Sequence, residues 1–141
     1  MIKAIELQIG DYVLVSGTPR RVESITKKKI GYHINPQTDK RLHYARLHDV
    51  EPIEITESFL RENGFSDLGI SALSHSGSYT EDIKYLTIID KDTLVLTSGL
   101  YIEKVNGESE NVGKMSTLRA IYIHHLQQMY RMWGIQKEWK L

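Results

Sequence analysis

The sequence predicts an α+β protein, in which an N-terminal SH3-like small β-barrel is followed by an antiparallel sheet packed on a long C-terminal helix. Three observations predict this class. Short apolar segments separated by turn residues fill residues 1–50, β-rich segments follow in residues 83–105, and residues 116–133 keep a helical period over several turns. The predicted organisation is a barrel over 1–53, a connecting helix over 54–65, a Ser/Gly-rich loop over 66–80, and the sheet with its helix over 81–141.

The barrel prediction rests on alternation and turns at short intervals. Ile5, Leu7 and Ile9 alternate with polar residues, and Gly10 and Asp11 then supply a turn. Strands are predicted over 5–9, 12–15, 22–25, 30–34 and 41–47. Short strands at this spacing are typical of a small barrel, and a twisted or open sheet is the main alternative.

A short helix is predicted over 56–63 because residues that start and stop helices flank it. Thr56 is of the type that caps the first free amides, and Gly64 suits the left-handed position after a helix. The stretch 66–80 is rich in serine and glycine and has no sustained period, which predicts a surface loop.

An antiparallel meander is predicted over 83–90, 93–97 and 100–105, because these segments are rich in residues that favour strands. Lys91-Asp92 and Ser98-Gly99 separate them. Asn106-Gly107 then predicts a hairpin turn, followed by a short edge strand to residue 112.

The long C-terminal segment is predicted to be the core helix of the fold. Its apolar face holds Leu118, Tyr122, Leu126, Met129 and Trp133. Ser116 is the predicted N-cap and Gly134 is the predicted end. His124, Gln127 and Arg131 lie on the opposite face at about 100° per residue, so we expect them on the surface as a contact for a partner.

Length and composition exclude several classes of protein. The 141 residues, 40% hydrophobic and 26% charged, fit one compact domain or two small lobes. The chain has no cysteine, which excludes a disulfide framework, a thiolate zinc site and a cysteine nucleophile, and fits a reducing cytoplasm. No signal-peptide run or membrane-length apolar stretch occurs, so we expect a cytoplasmic protein without a membrane partner.

Charge is segregated along the chain although the total is zero. Residues 1–50 hold nine Lys and Arg against five Asp and Glu, residues 51–112 hold four against twelve, and residues 113–141 hold five against one. Internal compensation between lobes is one interpretation. The other is a basic face and an acidic face that meet different partners.

Three stretches carry a resemblance to a known group of proteins: ELQIGDYVLVSGTPRRVESI, RLHYARLHDVEPIEITESFLRENGF and AIYIHHLQQMY. They resemble small uncharacterised proteins of gut anaerobic bacteria, their phages and mobile elements. In that group a barrel-like part precedes a helix ending in Asn-Gly-Phe, then strands, then a helix with a His-x-Leu-Gln-x-x-Tyr pattern, which here begins at His124 and ends at Tyr130. The tail is one residue shorter than in the group. The resemblance implies this architecture and a cytoplasmic, phage-borne setting, without an activity or a catalytic residue.

No motif indicates catalysis or a cofactor. His33, His43 and His48 with Asp39 or Asp49 are residue types that bind zinc, but their spacing matches no known site, and solvated histidines explain them equally. The serine-rich stretch lacks a nucleophile elbow, and no phosphate-cradling glycine motif occurs. We therefore expect no enzyme activity, no metal and no cofactor.

A basic set in the predicted barrel is the strongest functional signal. Clustered cations contact phosphates, and aromatic residues between them offer stacking platforms for bases. The predicted nucleic-acid residues are Lys27, Lys28, Lys29, Tyr32, Arg41, Tyr44 and Arg46.

The expected function is that of a non-catalytic binding or accessory protein of phage or mobile-element type. It engages a host macromolecule through protein contacts, with a protein partner or self-association, and nucleic-acid binding through the basic face is the alternative. Zero net charge weighs against the alternative, because nucleic-acid-binding domains are usually basic.

Overall fold

The chain is mostly β, with 42% of its residues in strands and 16% in helices. The computed structural model describes residues 2–69 and 71–141, with the side chains of 114–116 outside the description. Within this part of the chain only one helix has seven or more residues, and no closed barrel forms. The predicted α+β class, the SH3-like barrel and the long C-terminal helix are therefore wrong.

The elements are short and follow one another closely along the chain. In the described part of the chain, 3-10 helices occur at Ala4–Glu6 and Leu47–Asp49. The α-helices are α1 (Glu57–Glu62) and α2 (Ile123–Met132). The strands are β1 (Tyr12–Val15), β2 (Thr18–Arg21), β3 (Ser24–Ile25), β4 (Lys29–Tyr32), β5 (His43–Arg46), β6 (Val50–Glu51), β7 (Ser66–Gly69), β8 (Ala72–Ser78), β9 (Lys84–Asp90), β10 (Val95–Glu103) and β11 (Ser109–Arg119).

Contacts divide these elements between two compact units. The first unit comprises Met1–Glu54, Tyr122–Gly134 and Leu141, and the second comprises Ile55–Ile121 and Ile135–Lys140. The sequence predicted that this helix packs on the later sheet, but α2 belongs with the N-terminal strands. Neither helix among the described residues has the length and apolar character that crossing a bilayer requires.

The first unit contains two three-stranded sheets, ordered β2-β1-β6 and β3-β4-β5. The chain leaves one sheet and enters the other between Val22 and Glu23. The Val22 amide donates to the Asp11 carbonyl, and the Glu23 amide donates to the Gly31 carbonyl, both at 2.8 Å. Strands β3 and β6, each at the edge of its sheet, are only two residues long. The buried apolar core is Ile2, Leu7, Val13, Val15, Val22, Ile30, Ala45, Leu47 and Val50.

The strand predicted over 5–9 is absent, because local hydrogen bonds fold this segment into turns. Asp11 accepts the Gln8 amide on Oδ2 at 2.8 Å, and the Asp11 amide donates to the Gln8 carbonyl at 3.1 Å. Leu7 is buried, whereas Ile5 is 91% exposed and Ile9 is 60% exposed. Of the three alternating residues that were predicted to form one buried face, only Leu7 is buried.

Helix α2 starts later than predicted because the preceding residues pair as a strand. Thr117 lies opposite Thr97 and Leu118 opposite Leu96, and the Ala120 amide donates to the Leu94 carbonyl at 2.9 Å. The cap role predicted for Ser116 concerns a side chain outside the described residues. Strand pairing thus overrides the helical period that these residues share with α2.

The second unit begins with α1, and the prediction of a short helix over 56–63 is confirmed. Thr56 Oγ1 accepts the Phe59 amide at 3.1 Å, and Gly64 takes a φ of +89° after the helix. Phe59 and Leu60 are buried. Local capping residues are therefore enough to place this helix.

A five-stranded antiparallel sheet, ordered β11-β10-β9-β8-β7, follows α1. The surface loop predicted over 66–80 is wrong, because β7 and β8 occupy it. Small residues are needed here, since a Cβ on Gly77 of β8 would lie 2.5 Å from the Tyr85 hydroxyl on β9. Serine and glycine thus mark close cross-strand packing and not a loop.

Strand β10 runs through Ser98-Gly99, where a turn had been predicted. The Ser98 and Thr87 hydroxyls hydrogen-bond at 3.1 Å and both residues are buried. The Asn106-Gly107 turn is confirmed, with Gly107 at a φ of +82°. Strand β11 then continues to Arg119, well beyond the predicted end at residue 112.

Candidate nucleic-acid interface

Consecutive lysines form the tip of the β3–β4 hairpin in the first unit. The Thr26 amide donates to the Lys29 carbonyl at 2.9 Å, and Thr26 Oγ1 accepts the amides of Lys28 at 3.4 Å and Lys29 at 3.2 Å. The Lys28 carbonyl accepts the Leu47 amide at 2.9 Å, which ties the tip to the end of β5. These bonds fix the backbone that carries Lys27, Lys28 and Lys29.

Strand β5 places two more predicted residues beside this tip. Lys29 lies opposite Arg46, and Gly31 lies opposite Tyr44. Successive side chains of a strand alternate between faces, and β5 follows this rule with Tyr44 and Arg46 exposed and Ala45 buried. Lys29, Tyr44 and Arg46 therefore share the outer face of this sheet.

Tyr44 is held against the sheet by its neighbours. A Cβ built on Gly31 would lie 3.2 Å from Tyr44 Cε1 and 2.3 Å from Ser24 Oγ, so only glycine leaves the ring this close to the strand. The Lys29 ammonium lies 4.3 Å from the centre of the Tyr44 ring. Tyr44 is nevertheless 54% exposed. The geometry combines a fixed aromatic ring with an adjacent cation.

Lys3 also belongs to this surface, although it is distant in sequence. Two adjacent hollows share Lys27, Lys28 and Arg46 in their walls, and Lys3 lines one of them. We define the basic face as Lys3, Lys27, Lys28, Lys29, Tyr44 and Arg46. Sequence reasoning missed Lys3 because residues 5–9 were predicted to be a strand, which hid the turn that brings the N-terminal segment here.

Asp49, an acidic residue beside the basic face, is only a weak counterion. Arg46 Nε lies 3.5 Å from Asp49 Oδ2, and both side chains are more than half exposed. Exposed ion pairs contribute about 0–1 kcal/mol and are screened by salt. Asp49 therefore leaves most of the positive charge available to an anion.

Two predicted nucleic-acid residues lie elsewhere. Arg41 lies two residues before β5, at the end opposite Arg46, and the strand itself spans roughly 10 Å at about 3.3 Å per residue. Its Nε lies 3.4 Å from Asp39, whose pKa is lowered by the hydrogen bond from the Arg41 amide. Tyr32 faces the core side of β4, with the Arg20 guanidinium 5.5 Å from its ring. Arg41 and Tyr32 thus line neither of the two lysine hollows, and Tyr32 instead lines a third hollow with Tyr44, Arg46, Asp49 and Glu51.

The expected contact surface on α2 is instead engaged inside the first unit. His124 is 2% exposed and Gln127 is 3% exposed, so neither lies on the surface as predicted. Gln127 Oε1 accepts the Tyr12 amide at 2.9 Å, and its Nε2 donates to the Gly10 carbonyl at 3.1 Å. The polar face of α2 is therefore a docking face for the segment before β1.

Arg131 completes this docking. It forms an ion pair with Asp11, which is fully buried, and donates to Gln8 Oε1 and the Ile9 carbonyl, both at 3.0 Å. Gln128 Nε2 donates to Asp11 Oδ2 at 2.6 Å. A buried carboxylate with these donors is satisfied, as burial requires.

His124 is the exception among these polar groups. No hydrogen-bond partner for its Nδ1 is found among the described residues. Burial, with a smaller contribution from the adjacent His125, lowers the pKa of His124 to about 4. His124 is thus a neutral ring, stacked with Tyr122 at 5.6 Å between centres.

The histidines considered as metal ligands form two separate pairs. His43 Nε2 lies 3.4 Å from Asp39, and His48 Nε2 lies 3.3 Å from Asp49. Among the described residues, no three His, Cys, Asp or Glu side chains gather closely enough to hold a metal ion.

The chain matches no protein family, no curated protein and no solved structure, so similarity to known proteins gives no further guide to the site.

Proposed function

We propose that this protein binds nucleic acid without catalysing a reaction, through the basic face of its first unit. The single observation that supports it most is the assembly of Lys27, Lys28, Lys29 and Arg46 around adjacent hollows, beside an exposed Tyr44. Phosphates are bound by clustered cations that release counterions. A local patch can do this although the chain has no net charge.

The distribution of charge between the units supports the same choice. The first unit holds ten Lys and Arg against seven Asp and Glu, and the second holds eight against eleven. The positive excess therefore lies in the unit that carries the basic face. An acidic second unit discourages binding of a polyanion to that part of the chain.

The test is fluorescence anisotropy with labelled single-stranded and duplex oligonucleotides at several salt concentrations. Affinity should fall with salt by a log-log slope of roughly −0.7 for each phosphate neutralised on a single strand. Replacing Lys27, Lys28 and Lys29 with alanine should flatten that slope by about two units. Binding that is absent at tens of micromolar protein, or that ignores this change, contradicts the proposal.

A charge-matched variant supplies the control. Lys40, Lys104 and Lys140 are exposed and lie outside the basic face. Changing these three to alanine removes the same total charge, and we expect the salt slope to stay within about half a unit. Equal effects of the two triple variants contradict a localised site.

Binding of a protein is the second candidate, and the exposed edge strand β11 favours it. This strand pairs with β10 on one side, and all of its residues with described side chains are exposed. A sheet edge of this length offers unpaired backbone groups to another strand. We propose self-association, because β11 of a second copy can pair antiparallel with this edge and satisfy its unpaired backbone groups.

Light scattering over a wide concentration range tests this second candidate. Val112 is 40% exposed on β11, so Val112→Lys adds a charge to the edge without opening a core. We expect this variant to be monomeric where the wild type is dimeric. Ile5→Lys adds the same charge at a 91% exposed position in the first unit and should leave the dimer intact. A monomeric wild type contradicts self-association.

The proposed setting is the cytoplasm, with a phage or mobile-element origin. The lack of cysteine supports a reducing compartment, and the origin rests on the resemblance of the three stretches described above. An accessory protein of this kind meets host nucleic acid directly. Recovery from host lysate with and without nuclease separates nucleic acid from protein as the ligand.

A further inference from the structure

Tyr44 lies at the edge of the basic face, with the Lys29 ammonium beside its ring. We infer that Tyr44 is a stacking platform for an unpaired base, so that the basic face takes single-stranded nucleic acid in preference to duplex. This inference rests on the proposed function and specifies its ligand. Its basis is the packing of the ring between Gly31 and Lys29.

The ring is prearranged for stacking by the strand beneath it. Gly31 lies directly opposite Tyr44, and any Cβ there would lie 3.2 Å from Cε1. The ring therefore lies close to the backbone and cannot turn inward, while 54% of the residue stays exposed. A ring that is already fixed loses little conformational freedom when a base stacks on it.

Lys29 links stacking to phosphate binding. Its ammonium lies 4.3 Å from the ring centre, and an exposed cation–π contact of this kind is weak. A base that stacks on Tyr44 displaces the ammonium, which then reaches the phosphate beside that base. Lys27, Lys28 and Arg46 on the same surface continue the path of the backbone.

Duplex cannot use this platform because its bases are stacked within the helix. A single strand exposes the faces of its bases, and aromatic side chains stack on them with little regard to sequence. A duplex on the basic face meets only the cations. The structure therefore assigns affinity to the lysines and the choice of single strand to Tyr44.

Anisotropy with a single strand and a duplex of the same sequence tests this assignment. The wild type should bind the single strand more tightly, and Tyr44→Leu should weaken single-strand binding about tenfold while changing duplex binding by less than about twofold. Tyr44→Phe keeps the ring and should retain most of the affinity. The salt slope should not change in either variant, because Tyr44 contacts no phosphate.

A second readout reports the stacking itself. An oligonucleotide with 2-aminopurine should lose fluorescence on binding to the wild type and to Tyr44→Phe, and should keep it on binding to Tyr44→Leu. Thermal unfolding of each variant checks that the half-exposed side chain is dispensable for folding. Ile34, 51% exposed outside the basic face, provides the control Ile34→Ala, which should change neither readout.

The failures of the two proposals are distinguishable. Equal binding of single strand and duplex, or a Tyr44→Leu variant that behaves like the wild type, overturns the role of Tyr44 while a lysine-dependent salt slope keeps the proposed function. The absence of all nucleic-acid binding overturns both.

Discussion

The two α-helices are placed by different kinds of interaction. Helix α1 starts at its own cap, Thr56, and its Arg61 pairs on the surface with Glu57 at 2.6 Å and Asp67 at 2.9 Å. Helix α2 has no cap from the Tyr122 side chain and only a long local contact, in which His125 Nδ1 accepts the Tyr122 amide at 3.3 Å, while its Arg131 pairs with the buried Asp11 in another part of the sequence. Local residues therefore determine α1, whereas tertiary polar contacts determine α2.

The largest difference is expected between the two arginines. Arg131→Met removes the cation that neutralises a fully buried carboxylate, and breaking such a pair costs about 3–5 kcal/mol. Urea denaturation followed by circular dichroism measures this loss. A loss below about 1 kcal/mol means that Asp11 finds other donors or water, and removes the contrast between the helices.

Packing of α2 gives the next effect. Leu126 is fully buried, so Leu126→Ala should lower the free energy of unfolding by about 2–5 kcal/mol. Met132 on the same helix is 67% exposed, and Met132→Ala serves as the control with little expected change. A loss under about 0.5 kcal/mol for Leu126→Ala would make α2 peripheral.

Acid should lower the free energy of unfolding through His124 of α2, by on the order of 2 kcal/mol. The folded pKa of His124 is lowered to about 4 from 6.5, mainly by burial. The unfolded chain thus binds the proton first, so this contribution is complete above pH 6.5 and is lost as the pH falls to 4. Denaturation of wild type and His124→Phe between these pH values should give a shallower dependence for the variant.

A matched histidine checks this assignment. Burial also lowers the pKa of His75, in the second unit, to about 4. The variant His75→Phe should keep the contribution of His124 to the pH dependence. If the two single variants and the double variant have identical pH profiles, the buried histidines are not the groups that titrate.

The cap of α1 should have a smaller effect. Thr56→Ala leaves the Phe59 amide without its acceptor and should cost about 1 kcal/mol. Thr56→Ser keeps the hydroxyl and should restore most of the loss. A Thr56→Ala variant as stable as the wild type would show that α1, too, depends on contacts outside its own sequence.

The smallest effect is expected at the surface network of α1. Arg61→Met matches the change at Arg131, but its carboxylate partners are about half exposed and Lys91 also serves both. Water and salt screen such pairs, so we expect no change that denaturation resolves. Equal losses for Arg61→Met and Arg131→Met would contradict the contrast drawn here.

The contrast between local and tertiary contacts also explains which elements could be predicted from the sequence. Thr56 and Gly64 predicted α1 because capping is local, and Lys27, Lys28 and Lys29 were predicted to be a patch because a charged hairpin tip is exposed in almost any fold. The start of α2 was missed because Thr117 and Leu118 suit either a helix or a strand, and pairing with β10 decides between them. Lys3 was missed because the turn that brings it to the basic face cannot be recognised from hydrophobic periodicity.

The division of the chain has a consequence for its synthesis. The first unit takes its strands from Met1–Glu54 and its helix from Tyr122–Gly134, with most of the second unit between them in sequence. At about 5–20 residues per second, a ribosome adds that intervening stretch in several seconds. During this interval the carboxylate of Asp11 has no Arg131 to pair with. The first unit therefore has all of its strands several seconds before its helix, and these uncovered strands are the part of the nascent chain most in need of a chaperone.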